Sequence, residues 1–482
     1  VNCCRSLTTT IRFNNLNERV LITKLKHMVE KCKEKDGRYG NLIQIIGSLP
    51  IIKLAYLMVK SNLGIPAQGV YISTLDGINL KDLNKISQDT LSGKFKFSPV
   101  RHVIISKAGK TELRLLGVIN TREKIIQKAI EMIITFVFEK FFLDCSHGFR
   151  PGRSCHTALK HLQLKAGNAS TYSWVIEGNI KECFNNISHD MILKGLKRKI
   201  NCPATFNLIK RILSAGYILN EDLKKVGRKN SKVYKSNIGV TQNIVLSPLF
   251  SNIALYELDE FINHELKKEF SMGKQQKPNL IYRRLRYRIK RENDLRKKRV
   301  LINNCLKVLS KNFHDSDYKK LFYVRYADDW VILVAGSLKD AEIICNKVSD
   351  KLQSLGLTLN IKKTRITLLR KSKCRFLGID FFIRRNIEKH HKLTKLVKKN
   401  TIIRQRFAPR IILHAPIFEL LTKLKEKGFV KRSNHGEFFP KGKSNCIFLT
   451  HPQILNYFNN RILRILSYYS CVHNRNELWS IV

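Results

Sequence analysis

The sequence predicts an α+β fold, and three observations predict it. Both ends of the chain carry apolar residues at helical spacing, as in "LNERVLITKLKHMVEKCKEK" and "HPQILNYFNNRILRILSYYS". The middle is rich in short β-branched and aromatic runs, among them "YVRYADDWVILV" (residues 323–334), two apolar strands joined at Asp328 and Asp329. The third is capacity: 482 residues, 43% of them hydrophobic, are enough to bury the cores of two or three domains.

The elements follow in order. Residues 1–66 read as a basic helical lead-in. "GVYISTLDGINLKDLNKISQDTLSGKFKFSPVRHVII" turns to strand chemistry, with Gly93 and Pro99 bracketing a basic, aromatic segment. "RHVII" and "SKAGKTELRLLGV" predict a hairpin turning at Ala108 and Gly109. A long apolar helix is expected over 121–142. Pro151 and Gly152 then close a loop, and Ser154 begins a helix. "YSWVIEGNI" is a strand and "SHDMILKGLKRKI" a capped helix. After the acidic hairpin come a helix at 338–355 and two strand-like pieces, "LGLTLNIKKTRI" and "CRFLGIDFFI". From 388 the pattern is helical again, a separate α-domain whose helix "APIFELLTKLKEKGFV" ends at Gly428.

Charge bounds the function. Lys and Arg number 89 against 37 acidic residues, a formal net charge of +52. Self-repulsion on that scale disfavours a compact chain unless a polyanion neutralises it. Nucleic acid is the natural partner, bound through phosphate neutralisation and counter-ion release. Composition alone leaves a basic ribosomal-type or membrane-surface protein as the alternative. The basic density peaks in 281–300, with ten basic and two acidic residues interleaved with Tyr282 and Tyr287. Arg283, Arg284, Arg286, Arg288, Lys290, Arg291, Lys297, Lys298 and Arg299 are the candidate RNA contacts, against the plainer reading of a solvated helical insertion.

The twelve cysteines are scattered, without a C-x2-C pair, and read as reduced thiols of a non-secretory compartment. "HNR" at 473–475 lacks the flanking cysteine pairs of a zinc finger. The greasiest run, "AIEMIITFVFEKFF", contains Glu131, Glu139 and Lys140 and reads as a buried helix rather than a membrane span. The first residue is Val, which fits a processed product, a fragment or the continuation of an upstream frame. The opening residues lack the amphipathic period of a transit peptide.

Two-metal phosphoryl transfer needs hard oxygen ligands on rigid elements, and carboxylates on adjacent strands supply them. An Asp-Asp pair between apolar strands demands a metal or another partner. With "YADD", the blocks "HGFRPGRSCHTAL", "GNIKECFNNISH", "GVTQNIVLSPLFSNIALYELD", "LGLTLNIKKT" and "CRFLG" occur in this order. In that, the chain resembles the group II intron-encoded reverse transcriptases and maturases of organelles. The resemblance implies a right-hand reverse-transcriptase fold, fingers and palm over 67–387 with a basic insertion at 265–320. A helical thumb, the maturase or X domain, would follow over 388–482, ending early and without a DNA-binding or endonuclease region after Val482.

Position by position, the resemblance makes Asp328 and Asp329 the paired catalytic, metal-binding aspartates and the Ile180 carbonyl a further metal ligand. Lys363 matches the basic residue of the next motif. Arg114 would face the incoming triphosphate, with Arg101 and Lys107 on the same hairpin; Phe184 matches the aromatic that screens the sugar 2′ position, and Gln242 the nucleotide-binding block. The chain departs from the pattern at three places. Asn179 stands where the family has its first metal-binding aspartate, so Mg²⁺ affinity and geometry should both suffer. Glu177, two residues back on the same strand face, is too far along the strand (about 7 Å by strand rise) to replace it. "TPQGG" has become "VTQNI", with bulky Asn243 and Ile244, and the fingers hairpin lacks the family's prolines.

The expectation is a maturase that binds group II intron RNA in its host pre-mRNA and promotes folding and splicing, its polymerase activity lost. The alternative is an active RNA-directed DNA polymerase, dependent on Mg²⁺ and acting on DNA to support intron mobility; a retired gene product or generic basic scaffold is a third reading. The abundance of Lys, Ile, Asn and Leu points to an AT-rich, mitochondrial genome, with plastid or bacterial origin as alternatives. No membrane association is expected, and the sequence does not address oligomeric state.

Overall fold

The structure is a computed structural model that describes residues 15–61, 69–70, 75, 77–106, 113–165, 171–223, 231–242, 244–308, 310–312, 315, 317–383, 394–398, 401–405 and 410–481. In chain order its strands are β1 (Val100–Ser106), β2 (Leu113–Val118), β3 (Trp174–Asn179), β4 (Tyr217–Leu219), β5 (Lys320–Tyr326), β6 (Asp329–Ala335), β7 (Arg365–Leu368), β8 (Cys374–Phe376), β9 (Ile379–Ile383), β10 (Thr394–Lys398), β11 (Thr401–Gln405), β12 (Ile411–His414), β13 (Val430–Arg432) and β14 (Phe438–Pro440). They and the helices form two compact units. One comprises Val1–Ser154, Ile180–Glu260 and Lys351–Thr358; the other comprises Cys155–Asn179, Phe261–Asp350 and Leu359–Val482.

The first unit is built on the helix Thr121–Phe138. Its Ile125, Ile126, Ala129, Ile130, Ile133, Ile134 and Val137 recur at three- and four-residue spacing and are buried. The helix Leu49–Lys60 packs on it. The helix Thr121–Phe138 stops short of the expected 142, where the Phe141 amide turns back three residues to the Phe138 carbonyl, a tighter turn than the helix makes. Arg150 closes the following loop. Its buried guanidinium donates to the carbonyls of Leu143 (2.7 Å), Ser146 (2.8 Å) and Phe142 (3.3 Å) and pairs with Glu139 at 2.8 Å.

The same unit holds the three-stranded sheet β2-β1-β4. β1 and β2 pair antiparallel from Arg101 opposite Val118 to Ser106 opposite Leu113, while the proposed turn at 108–109 lies outside the described residues. The stretch before β1 is not all strand. Leu80–Leu91 is a helix, started by a capping box in which the Asn79 side chain accepts from the Asp82 amide and the Asp82 carboxylate accepts from Asn79.

The second unit centres on the antiparallel sheet β5-β6-β3-β7. β6 is buried along almost its whole length, since it lies between β5 and β3. Gly178 of β3 sits opposite Trp330 of β6, and a Cβ at this glycine would fall 2.1 Å from the indole Cζ2. Only glycine lets the buried Trp330 ring cross the strand there. A second sheet, β12-β9-β8, and the hairpins β10-β11 and β13-β14 belong to the same unit.

Two sequence readings are corrected here. "LGLTLNIKKTRI" forms a strand only from Arg365; residues 361–363 are a turn fixed by the Asn360 carbonyl, which accepts from the amides of Lys363 (3.0 Å) and Thr364 (2.9 Å). The segment after 388 starts with strands, β12 pairing with β9 from Ile411 opposite Ile383 to His414 opposite Asp380. The helices Ile417–Glu426 and His451–Tyr468 follow. No helix among the described residues is long and apolar enough to cross a membrane.

Candidate functional site

The acidic hairpin is tightly made. Tyr326 and Asp329 are the last paired residues of β5 and β6, leaving Ala327 and Asp328 as a two-residue loop. Ala327 has φ 56°, the left-handed conformation that such loops require and that costs a non-glycine residue about 1–3 kcal/mol. The fully buried Arg325 offsets part of this cost by donating from Nη1 to the Ala327 carbonyl at 2.9 Å.

Asn179 ends β3 directly opposite Asp329. Its side chain is only 5% exposed, and every polar atom of it is engaged. Nδ2 donates to Asp329 Oδ1 at 2.5 Å and to Asp328 Oδ2 at 3.1 Å. Oδ1 accepts from Lys363 Nζ at 3.3 Å and from Asn360 Nδ2 at 3.5 Å. The Asn179 backbone carbonyl accepts from the Asn360 amide at 2.8 Å. The reversed amide would set an oxygen against two carboxylates, so the chemistry of the neighbours fixes this orientation. Burial, and next the adjacent Asp328 carboxylate, push the Asp329 carboxyl up to about 6; the Asn179 amide and the Lys363 ammonium pull it the other way.

This donor set does not fit a two-ion site. Two carboxylates remain, and the third position turns an N–H donor toward them where a shared ligand needs an anionic oxygen. Among the described residues no three His, Cys, Asp or Glu side chains are grouped to hold a metal ion. Glu177 is engaged elsewhere: its carboxylate accepts from the Arg375 amide of β8 at 3.1 Å, and burial holds its own carboxyl above the usual range.

A pH dependence follows from Asp329. Between about pH 4 and 6 the folded state holds a proton at Asp329 that the unfolded chain releases, so stability falls as pH rises through that window. Asp329→Asn removes the cost while still accepting from Asn179. It is expected to stabilise the chain by about 2 kcal/mol at pH 7.5 and by little at pH 4, read from denaturation midpoints at the two pH values.

The remaining sequence-predicted residues are distributed as follows. Asn179, Asp328, Asp329 and Lys363 meet in the second unit. Arg101, Ile180, Phe184 and Gln242 lie in the first unit. Arg101 is on β1, with a buried Nε that has no hydrogen-bond partner among the described residues. Arg114 is on β2 opposite Ile105; its side chain and all of Lys107 lie outside the described residues. Ile180 is buried. Phe184 meets Phe149 edge-on at 6.4 Å. Gln242 bridges to Leu116, its carbonyl accepting from the Gly117 amide at 2.8 Å, and Ile244 and Thr241 crowd the side of Gly117 that lacks a side chain. Asn243 lies outside the described residues.

The basic insertion forms two helices, Leu280–Arg291 and Leu295–Lys307, capped by the side chains of Asn279 and Asp294. The first buries none of its residues. Arg283, Arg284, Arg286, Arg288, Lys290, Arg291, Lys297 and Arg299 are exposed, and Arg291 lies over the Tyr287 ring at 4.2 Å. Lys298 is half-buried and donates to the Glu292 carbonyl at 3.2 Å.

Two residues that build the site escaped the sequence reading. Asn360 fixes both the backbone and the side chain of Asn179, and its only signal was a place inside the quoted "LTLNIKKT" block. Arg325 was legible only as a charge inside an apolar strand, itself a sign of a structural bond.

Comparison with known proteins settles the family. A model described as "Reverse transcriptase (RNA-dependent DNA polymerase)" matches residues 105–279 and 299–381, more than half of the chain, and one described as "Type II intron maturase" matches 408–482. The chain belongs to the group II intron-encoded reverse transcriptase and maturase family. Among the relatives of this family member, the putative COX1/OXI3 intron 1 protein of Saccharomyces cerevisiae is 32% identical over 458 residues, 95% of this chain and 53% of its own length. An uncharacterized 91 kDa protein in cob intron of Schizosaccharomyces pombe is 34% identical over 437 residues, covering 89% and 50%. The group II intron-encoded protein LtrA of Lactococcus lactis is 32% identical over 442 residues, covering 89% and 70%. This family member thus spans about half the length of its fungal relatives.

Proposed function

We propose that this chain is a non-polymerising maturase: it binds group II intron RNA within the host pre-mRNA and promotes folding and splicing. The observation that carries the reading is the Asn179 amide, whose nitrogen occupies the space between Asp328 and Asp329 that a metal-bridging carboxylate would serve. The hairpin keeps its shape with a hydrogen bond where the family's chemistry needs a cation. Polymerisation without positioned metal ions loses the electrostatic stabilisation on which phosphoryl transfer depends.

The RNA is expected to supply its own splicing chemistry, so the protein's task reduces to binding and charge neutralisation. A net charge of +52 serves this by screening phosphate repulsion as RNA helices pack together. Recognition rests on shape and on unpaired loops, as is general for structured RNA. The parts proposed for contact are the lead-in helix, the exposed arginines of 281–299 and the thumb. In this reading β1 and β2 belong to the fingers, the sheet β5-β6-β3-β7 is the palm, and residues from 388 form the thumb. The fungal relatives are named for introns of COX1/OXI3 and cob, which supports a mitochondrial, organelle-encoded setting.

The test is a splicing assay on the intron that surrounds the coding sequence, at near-physiological magnesium. Added protein is expected to raise the splicing rate at least tenfold over RNA alone. No rate change, with intact RNA that splices at high magnesium, would reject the maturase reading.

A further inference from the structure

The hairpin of β13 and β14 has two unlike faces. In its register Val430 opposes Pro440, Lys431 opposes Phe439, and Arg432 opposes Phe438. Strand alternation therefore puts Arg432 and Phe438 on one face and Lys431 and Phe439 on the other. The first face is used internally. Phe438 meets Phe418 of the helix Ile417–Glu426 edge-on at 5.9 Å, and the Arg432 guanidinium lies 5.6 Å from both rings. The second face is open: Phe439 is 42% exposed, and Lys431 and Lys441 are exposed beside it.

Beside the hairpin the rings are already used: Lys443 lies 4.3 Å over the half-buried Phe429, which meets Tyr457 of the helix His451–Tyr468 at 6.2 Å and has Arg461 over it at 5.5 Å. This cluster anchors the hairpin and adds cations next to its open face. An exposed ring alone would suit an apolar protein partner as well as a nucleobase. The charge decides between them: residues 427–443 hold five basic residues (Lys427, Lys431, Arg432, Lys441, Lys443) and one acidic residue (Glu437). A ring to stack on, flanked by cations at chain spacing, is how single-stranded nucleic acid is held without reading its sequence. A-form duplex offers no free base faces to such a platform.

We infer that the outer face of this hairpin is a stacking site for unpaired RNA, with a base on Phe439 and the flanking phosphates on Lys431 and Lys441. It rests on the maturase reading and deepens it, by giving the thumb an unpaired segment rather than a helix of the intron. The hairpin is preformed for the task. Its tip is closed by bonds of its own, the Ser433 amide donating to the Glu437 carbonyl at 2.8 Å and Arg432 Nε donating to the Gly436 carbonyl at 3.1 Å.

The experiment uses the full chain and three probes: the intron RNA, an unpaired oligoribonucleotide carrying 2-aminopurine, and a duplex of equal length. Phe439→Ala is expected to weaken the unpaired probe about tenfold and to abolish its 2-aminopurine quenching, with duplex affinity unchanged within twofold. Phe439→Trp restores quenching. Lys431→Gln with Lys441→Gln is expected to lower the salt slope for the unpaired probe by about 1.4. Because Phe439 is exposed, folding is checked simply by an unchanged melting temperature. If the parent binds intron RNA but Phe439→Ala leaves quenching and affinity intact, the stacking site is wrong and the maturase reading stands. Equal losses on unpaired and duplex probes would also overturn it. If the parent binds no intron RNA, the maturase reading itself fails. Self-association lost in Phe439→Ala, with RNA binding untouched, would make the face a contact between copies and overturn the inference.

Discussion

Asn179→Asp is expected to destabilise the chelator-treated protein by about 3 kcal/mol and to make its stability rise with added Mg²⁺ or Mn²⁺. The substitution removes the donor that satisfies Asp328 and Asp329 at 3.1 and 2.5 Å and sets a third carboxylate against them. Among the described residues Lys363, at 3.3 Å, is the one cation in hydrogen-bond contact with Asn179, and it cannot neutralise three charges. A divalent ion can, since three carboxylate groups on rigid strands form a hard-oxygen site. Melting temperature in EDTA and at rising Mg²⁺ measures both effects. The parent should show no specific divalent dependence, because its carboxylates already hold a hydrogen-bond partner. A parent that is stabilised by Mg²⁺ as strongly as the variant would show that the amide does not close the site.

The combined variant Arg283→Gln, Arg284→Gln, Arg286→Gln and Arg288→Gln is expected to weaken intron binding about a hundredfold near 0.1 M salt. Its log-affinity against log-salt slope should fall by about 3, roughly 0.7–0.9 per lost phosphate contact. These side chains are exposed on a helix that buries nothing, so the fold should not change. Filter binding across a salt series separates the two readings of this insertion. A helix that is merely solvated would leave the slope where it was.

Much of the fold was legible because its signals are local. The acidic hairpin announced itself by apolar alternation on both sides of Asp328 and Asp329, and β3 by the same pattern ahead of Asn179. The helix Leu80–Leu91 was missed although its capping box, Asn79 to Asp82, is written in the sequence; the β-branched run before it dominated the reading. β12 was missed because a strand of four residues, Ile411–His414, is held by pairing with β9 rather than by its own propensity. At the site, the loss of a carboxylate at 179 could be read from the residue. That the replacing nitrogen bonds both aspartates could not, because it depends on register between β3 and β6 and on Asn360 and Lys363 arriving from a distant turn. The same holds for Gly178, whose need is set by a ring across the strand.

The most direct test of the central claim is primer extension by the unmodified chain on an RNA template with Mg²⁺, run beside the splicing assay on the same preparation. The account predicts no extension above background while splicing is accelerated. Efficient extension by the parent would contradict it, and would mean that an anionic ligand other than residue 179 completes the site.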